Sequence, residues 1–333
     1  MNLKPVLGGI KSRFVGKHLH KNHTCGTSSA RYCYSVWLRH LVLACRFGLP
    51  RPPLSIVELG PGDSIGMGLA ALLCGANRYY ALDVVKHACT ESNRRVFEEL
   101  IELFAKRVPI PGPDEFPVAK PYLENYNFPH GLLSADHLAE TLRADRLARI
   151  RESILALGNS ETPSSDGPEI EIRYIVPWDD LNVASVGSVD MAISQATMEH
   201  VPDIGKTYRS LNAWLKPGGF MTHQIDFKSH GTAKEWNGQW SYPDWIWSLV
   251  RALINRSPCS EHETVMAELG FRVLHVERVI RNDGLKRSKL ARKYKTLSEL
   301  AMTTSSAFLC AQSAQGSIAS TRGAASDIGV SAN

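Results

Sequence analysis

The chain has 333 residues, with 38 Lys+Arg against 33 Asp+Glu for a formal net charge of +5, and 44% of its residues are hydrophobic. These proportions supply enough apolar side chains for a large core and exclude collagen-like, disulfide-dense and wholly disordered chains. The length allows two domains or one large α/β domain with an insertion, and no apolar run approaches the roughly 18 residues of a membrane span.

The chain opens with a basic stretch: nine Lys or Arg and no acid precede Glu58. It is expected to be a flexible arm, with a weak contact to an anionic surface as its functional reading. No charged-then-apolar leader ends in a small-residue cleavage site, so no secretory signal is expected. Residues 36–49 are apolar but broken by Arg39, His40 and Arg46, which predicts an amphipathic helix. The seven cysteines include no Cys-x-x-Cys pair, which argues for buried, reduced thiols in a cytoplasmic protein and against a zinc site.

Residues 54–59 form a short apolar run behind Arg51-Pro52-Pro53 and stop at Gly60-Pro61-Gly62, which predicts a strand and a glycine turn. A helix over 65–74 and a strand over 79–85 complete a βαβ unit. Further strands are expected at 170–176, 189–195, 220–227, 271–280 and 307–312, with helices at 201–215 and 261–269. The alternation indicates a Rossmann-like three-layer α/β sandwich.

About 80 residues separate the second and third strands, far more than a crossover needs. They hold a helix over 91–107, a passage with Pro109, Pro111, Pro113, Pro117 and Pro121, and a helix over 134–157. This predicts a helical insertion at about 97–168 that caps the site. The expected organisation is a basic arm and helix at 1–53, a main domain at 54–312 and a disordered tail at 313–333. From Ala311 onward 14 of 23 positions are Ala, Ser or Gly, too few bulky residues to pack. A second basic cluster, Arg281, Lys286, Arg287, Lys289, Arg292, Lys293 and Lys295, is expected to be a solvated face.

The chemistry concentrates at the run from Glu58 to Gly66, which contains Gly60-Pro61-Gly62-Asp63. A glycine turn between strand and helix lets a ligand approach the backbone, and the helix N-terminus offers N–H groups to an anion. Asp83, 21 residues past Gly62 at the end of the second strand and followed by Val84, is placed to accept hydrogen bonds from both ribose hydroxyls. A dinucleotide site wants Gly-x-Gly-x-x-Gly, whereas here position 65 is Ile and the third glycine is Gly66. Glu58 would repel a pyrophosphate and suit a ligand carrying an amino group. Both departures favour S-adenosylmethionine over NAD.

At these residues the sequence resembles the class I S-adenosylmethionine-dependent methyltransferases, over about 54–312. The glycine motif from Glu58 to Gly66, the acid Asp83, the strand opening Val189-Asp190 and the turn Leu215-Lys216-Pro217-Gly218-Gly219 carry the resemblance. It implies a seven-stranded, mostly parallel sheet ending in an antiparallel hairpin. It also places Trp178 against the adenine ring and Asp179 or Asp180 on its exocyclic amine, with Ser194 and Gln195 at the methionine end. A narrower resemblance, to methyltransferases of polysaccharide and surface-glycan biosynthesis clusters, rests on residues 32–40, 58–63 and 223–230. That resemblance implies a sugar or glycolipid acceptor.

Glu199 and His200 read either as substrate-side groups at a strand end or as a helix-start pair favoured by the dipole. His223, Asp226 and His230, with His200, are candidates for the base near the acceptor, since His titrates in the useful range. Their spacing could also hold a metal, but no metal is expected. Trp236, Trp240, Tyr242, Trp245 and Trp247, like Tyr32, Tyr34 and Trp37, serve either as packing or as a stacking platform. The helix at 36–49, the insertion and the loop 228–258 are expected to form the acceptor pocket. Competing readings are an NAD-type oxidoreductase, a non-catalytic cofactor-binding scaffold and a nucleic-acid methyltransferase; no recognised RNA-binding module supports the last.

Overall fold

The computed structural model describes residues 26–157, 170–178, 183–250 and 254–314. The arm before Gly26 and the tail after Ala314 lie outside the described residues, as do Cys25, Asp179 and Asp180. The first helix, α1 (Ala30–Arg46), starts at Ser29, whose side chain accepts the Tyr32 N–H. Next come β1 (Ser55–Leu59), α2 (Gly66–Leu73), β2 (Arg78–Leu82) and α3 (Thr90–Ala105). The insertion carries α4 (Ala135–Thr141) and α5 (Ala144–Ala156), after which β3 (Glu171–Ile175) and β4 (Val189–Gln195) return to the sheet. The remainder is α6 (Ile204–Trp214), β5 (Leu215–Asp226), α7 (Asp244–Trp247), α8 (Cys259–Glu268), β6 (Phe271–Ile280), α9 (Glu299–Thr303) and β7 (Thr304–Ser313).

The seven strands run in the order β3-β2-β1-β4-β5-β7-β6. The first five are parallel, and β7 lies antiparallel between β5 and β6. A doubly wound dinucleotide fold has the order 3-2-1-4-5-6, so the inserted antiparallel strand is a topological difference. Side chains alternate along each strand. Ile56, Tyr79 and Ile193 face a core shared with α1 to α5, while Val57, Leu82 and Ile225 face the core of α6 and α8. Helices on both faces make the expected three-layer sandwich.

Three expectations are corrected. The predicted helix over 134–157 is two helices: Leu142 ends α4, and Arg143 is extended with ψ 143° before α5 begins. The Lys216-Pro217-Gly218-Gly219 segment sits inside β5 as an irregularity, where pairing jumps from Val189↔Leu215 to Met191↔Phe220. The α1 helix is buried nearly all round, Arg39 and His40 included. Arg39 survives there because its guanidinium donates to the carbonyls of Ala119, Pro121 and Pro111 at 2.5, 3.2 and 2.8 Å. A buried charge is tolerated only when it is hydrogen-bonded in this way.

The insertion is part of the same core. Ile110, Phe128, Leu133, Ile150 and Ile154 pack in one cluster with Trp37 of α1 and Leu69 of α2. Among the described residues no helix is long and apolar enough to cross a membrane.

Candidate active site

All the parallel strands present their carboxyl ends to one edge, where ligands of open α/β sheets bind. The turn after β1 lies there with Gly60 at φ 68° and Gly62 at φ 77°, the left-handed region that L side chains avoid. A Cβ on Gly60 would collide with the Thr197 side chain beyond β4, so this position admits only glycine between the two turns. Pro61 is buried behind them. Asp83 follows β2, 8% exposed, and its carboxylate accepts the Val84 N–H at 2.7 Å. Burial raises the Asp83 carboxyl above its usual value, against the pull of the N–H groups of Val84, Val85 and Gly62. The Trp178 N–H donates to Asp83 O at 3.1 Å, which ties the end of β3 to the same corner. The Trp178 ring is half-buried and meets Trp214 edge-on, centroids 6.1 Å apart. Val84 is 63% exposed at the rim.

The amides of residues 63–66, from the turn into the first residue of α2, are already bonded within the protein, contrary to the sequence expectation of N–H groups open to an anion. Thr27 Oγ1 accepts the N–H groups of Asp63 at 2.8 Å and Ser64 at 3.4 Å. The Asn93 amide oxygen accepts from Ile65 N and Ser64 Oγ from Gly66 N, both at 3.1 Å. These side chains supply the partners that a phosphate would otherwise provide.

Glu58 also differs from expectation. It points into the α2 layer, fully buried, and accepts the Tyr79 hydroxyl rather than facing a ligand. Burial pushes its carboxyl up to about 8, so it is neutral near pH 7.

Of the residues expected at the methionine end, Ser194 is fully buried with Oγ 2.8 Å from His223 Nδ1. Gln195 bridges His40 Nε2 at 3.1 Å and the Lys120 carbonyl, also at 3.1 Å. His223 itself lies inside the core against Tyr208 and is held by burial at about 3, neutral at physiological pH. Its Nδ1 is engaged by Ser194 while its Nε2 is buried without a partner among the described residues, and it stands apart from Asp226, His230 and His200.

The other three candidates do meet. Asp226 pairs with Lys228 Nζ at 2.7 Å and lies 3.6 Å from His230 Nε2. The His230 ring centroid is 5.3 Å from that of His200. Burial would raise Asp226, but the hydrogen bonds from His230 and Lys228 win and hold it at about 2. No group of three His, Cys, Asp or Glu among the described residues is arranged to hold a metal ion.

Beside this cluster a small, partly open cleft is lined by Glu199, Asp226, Lys228, Gln239, Asn255 and Arg256 among others. The α6 helix begins only at Ile204, with Asp203 accepting the Lys206 N–H, so Glu199 is not a helix-start residue. Asn255 pins the turn that carries it: its N–H donates to Glu199 O at 2.7 Å and its Nδ2 to Met198 O and Val201 O. Sequence reasoning left Gln239, Asn255 and Arg256 out because they belong to a loop without regular pattern. The signals were the position of Glu199 just past a strand end and the expectation that the loop 228–258 walls the pocket.

The elements expected to wall the pocket divide. Part of the 228–258 loop lines the cleft. The α1 aromatics are core: Trp37 Nε1 meets Cys74 Sγ at 3.2 Å and the Tyr34 hydroxyl donates to Val108 O at 2.6 Å. The insertion reaches the edge through Lys120, whose Nζ donates to Ser306 Oγ at 2.7 Å. Trp236, Trp240 and Tyr242 are buried packing, whereas Trp245 is 69% exposed. Of the described basic residues of the N-terminal stretch, Arg31 pairs with Glu115, Arg46 with Glu124 and Arg39 lies in the core, while Arg51 is exposed.

The profile of the methyltransferase domain family matches residues 38–276. No curated protein matches the chain. Among solved structures, an S-adenosylmethionine-dependent methyltransferase from Mesorhizobium loti is 14% identical over 82% of this chain and 97% of that one, TM-score 0.38. A putative sarcosine dimethylglycine methyltransferase from Galdieria sulphuraria is 13% identical over 84% of each chain, TM-score 0.41. Geranyl diphosphate C-methyltransferase from Streptomyces coelicolor A3(2) is 13% identical over 83% of this chain and 77% of that one, TM-score 0.40. These scores are too low for any of their substrates to be carried over to this chain.

Proposed function

The chain belongs to the methyltransferase domain family, and on that premise we propose that it transfers the methyl group of S-adenosylmethionine to an oxygen or nitrogen of a small molecule or of a glycan or glycolipid acceptor. The observation that supports this cofactor is the state of the glycine turn. The Gly60 and Gly62 backbone approaches Asp83 closely, while the amides of residues 63–66 that a pyrophosphate would need are bonded to Thr27, Asn93 and Ser64. A site with a ribose acceptor and no phosphate cradle suits an adenosyl sulfonium better than a dinucleotide.

The residues fit that group. Asp83 would take the ribose hydroxyls, Trp178 the adenine face, with Asp179 proposed for its exocyclic amine, and the 60–63 turn the close backbone approach. When bound, S-adenosylmethionine supplies an electrophilic methyl group on a positively charged sulfur. The protein's contribution is then to hold the acceptor atom in line with that methyl and to exclude water, since the rate of such a displacement owes most to positioning. The cluster of Asp226, His230 and His200 borders the acceptor side, and the sugar or glycolipid acceptor suggested by residues 32–40 and 223–230 remains part of this proposal.

The test is calorimetric titration of the full chain with S-adenosylmethionine, S-adenosylhomocysteine and NAD, for the wild type and Asp83→Ala. Binding of the two adenosyl ligands alone, weakened at least tenfold in the variant, supports the proposal. Binding of NAD alone, or of none, overturns it.

A further inference from the structure

The cleft beyond β4 and β5 has an uneven hydrogen-bond balance. Both carboxyl oxygens of Glu199 and Oε1 of Gln239 are buried without a partner among the described residues. The two side chains are 3% and 2% exposed. Backbone N–H groups of Glu199 and Asp226 lie near enough to pull the Glu199 carboxyl down slightly, but neither closes a hydrogen bond. The orientation of the Gln239 amide is set by its Nε2, which donates to Phe227 O at 2.6 Å, so the oxygen faces away from that bond.

The cationic side chains around the same cleft are directed at other partners. Lys228 Nζ serves Asp226, and the Arg256 guanidinium serves Tyr242 O and Asp244. Three idle buried acceptors beside cations directed elsewhere call for a ligand that brings donors, because a buried polar atom left unpaired is destabilising. A hydroxyl brings one donor and a carboxylate none, whereas an ammonium brings three.

We propose that this cleft receives the methyl acceptor as an amine and that Glu199 takes the ammonium proton; the proposal deepens the methyl-transfer reading above and rests on it. Placement agrees, since Thr197 packs against the Gly60 turn and Glu199 lies two residues further on. The charges agree too. Asp226 is already neutralised by Lys228, so Glu199 lacks a counter-charge of its own and is pushed up to about 8 by burial. An ammonium supplies the missing positive charge.

The step balances as follows. Glu199, protonated near pH 7 while the cleft is empty, gives its proton to solvent as the ammonium binds; the resulting carboxylate then removes one proton from the bound ammonium and exposes the nitrogen lone pair. That pair forms the new N–C bond while the S–C bond breaks, its electrons staying on sulfur. The product leaves as a methylated ammonium, and the Glu199 proton passes to solvent.

The experiment is calorimetry of the full chain, with and without saturating S-adenosylhomocysteine, using propylamine as the probe and propanol and propionate as its neutral and anionic matches. The expected result is propylammonium binding with release of close to one proton at pH 7, an affinity that rises up to about pH 8, and at least a tenfold loss in Glu199→Gln. The variant should bind S-adenosylhomocysteine as the wild type does. Equal binding of propanol or propionate, unchanged amine affinity in the variant, or no amine binding overturns the proposal. Should Glu199→Gln fail to fold, proton release and pH dependence in the wild type decide alone, and their absence overturns it. Amine binding without S-adenosylhomocysteine binding removes the methyl-transfer reading and leaves the amine site; the reverse removes the amine site only.

Discussion

The Thr27 hydroxyl accepts the backbone N–H of Asp63 at 2.8 Å, so a residue from before the first helix fastens the turn that leads from Gly62 into α2. Ser64 Oγ and Cys33 Sγ both turn back to the Thr27 carbonyl, which fastens Thr27 from both sides. The segment 26–29 is therefore fastened to the glycine-turn corner rather than a free arm.

Thr27→Val keeps the shape and removes the acceptor, leaving the turn amides of Asp63 and Ser64 without it. Stability should fall by about 1 kcal/mol, as for a lost hydrogen bond, with Thr27→Ser close to wild type. Denaturant midpoints measure the difference, and equal midpoints for all three proteins would contradict the role of Thr27 in holding the turn.

His223 is placed by its bond to Ser194 as a structural residue. In His223→Gln the pH dependence of turnover between pH 6 and 9 should match the wild type, while stability drops by about 1–3 kcal/mol for the disturbed buried pair. The buried histidines also set acid sensitivity. His40, His223 and His262 are lowered by burial to about 4, 3 and 3, from 6.5 in the unfolded chain. Their contribution is fully present above pH 6.5 and is lost as pH falls from there toward the folded values. Thermal melts from pH 7 to pH 4 should show that loss.

Glu58 acts in the opposite direction. Its folded value of about 8 stands above the unfolded 4.5, so its contribution is fully present below pH 4.5 and is lost as pH rises through 8. Glu58→Gln can still accept the Tyr79 hydroxyl without the ionisation. The variant should gain on the wild type steadily between pH 5 and pH 8, reaching on the order of 3–4 kcal/mol. A constant difference across that range in urea unfolding would refute this account of Glu58.

Arg39→Leu removes the donors of three carbonyls in the proline passage and the guanidinium 5.2 Å from the Tyr126 ring centroid. We expect a loss of about 2–4 kcal/mol in chemical unfolding, together with early proteolysis of the 109–121 passage. A loss within 0.5 kcal/mol, the size usual for surface substitutions, would mean that the passage stands without it.

Much of the fold was legible in the sequence because its signals are local. β4 runs Val189–Gln195 as its apolar run indicated, and β1 ends before Gly60 as the glycine turn required. The long helix over 134–157 was misjudged because neither Leu142 nor Arg143 is a recognised breaker. What accompanies the break is a distant anchor: Arg146, three residues past it, bonds Asn77 Oδ1 at 2.8 Å and the Leu72 and Ala76 carbonyls.

The sequence by itself determined the strand and helix alternation, the positive-φ turn at Gly60 and Gly62, and the acid at the end of β2. These depend on backbone sterics and periodicity within a few residues. Only the tertiary structure decided which polar groups face a ligand. Glu58 turned inward to Tyr79, His223 to Ser194, and the turn amides of Asp63 and Ser64 to Thr27, whereas Glu199 and Gln239, forty residues apart, converged with no partner among the described residues. Burial and hydrogen-bond partnership arise from long-range packing, and that is what separates a structural histidine from a reactive one.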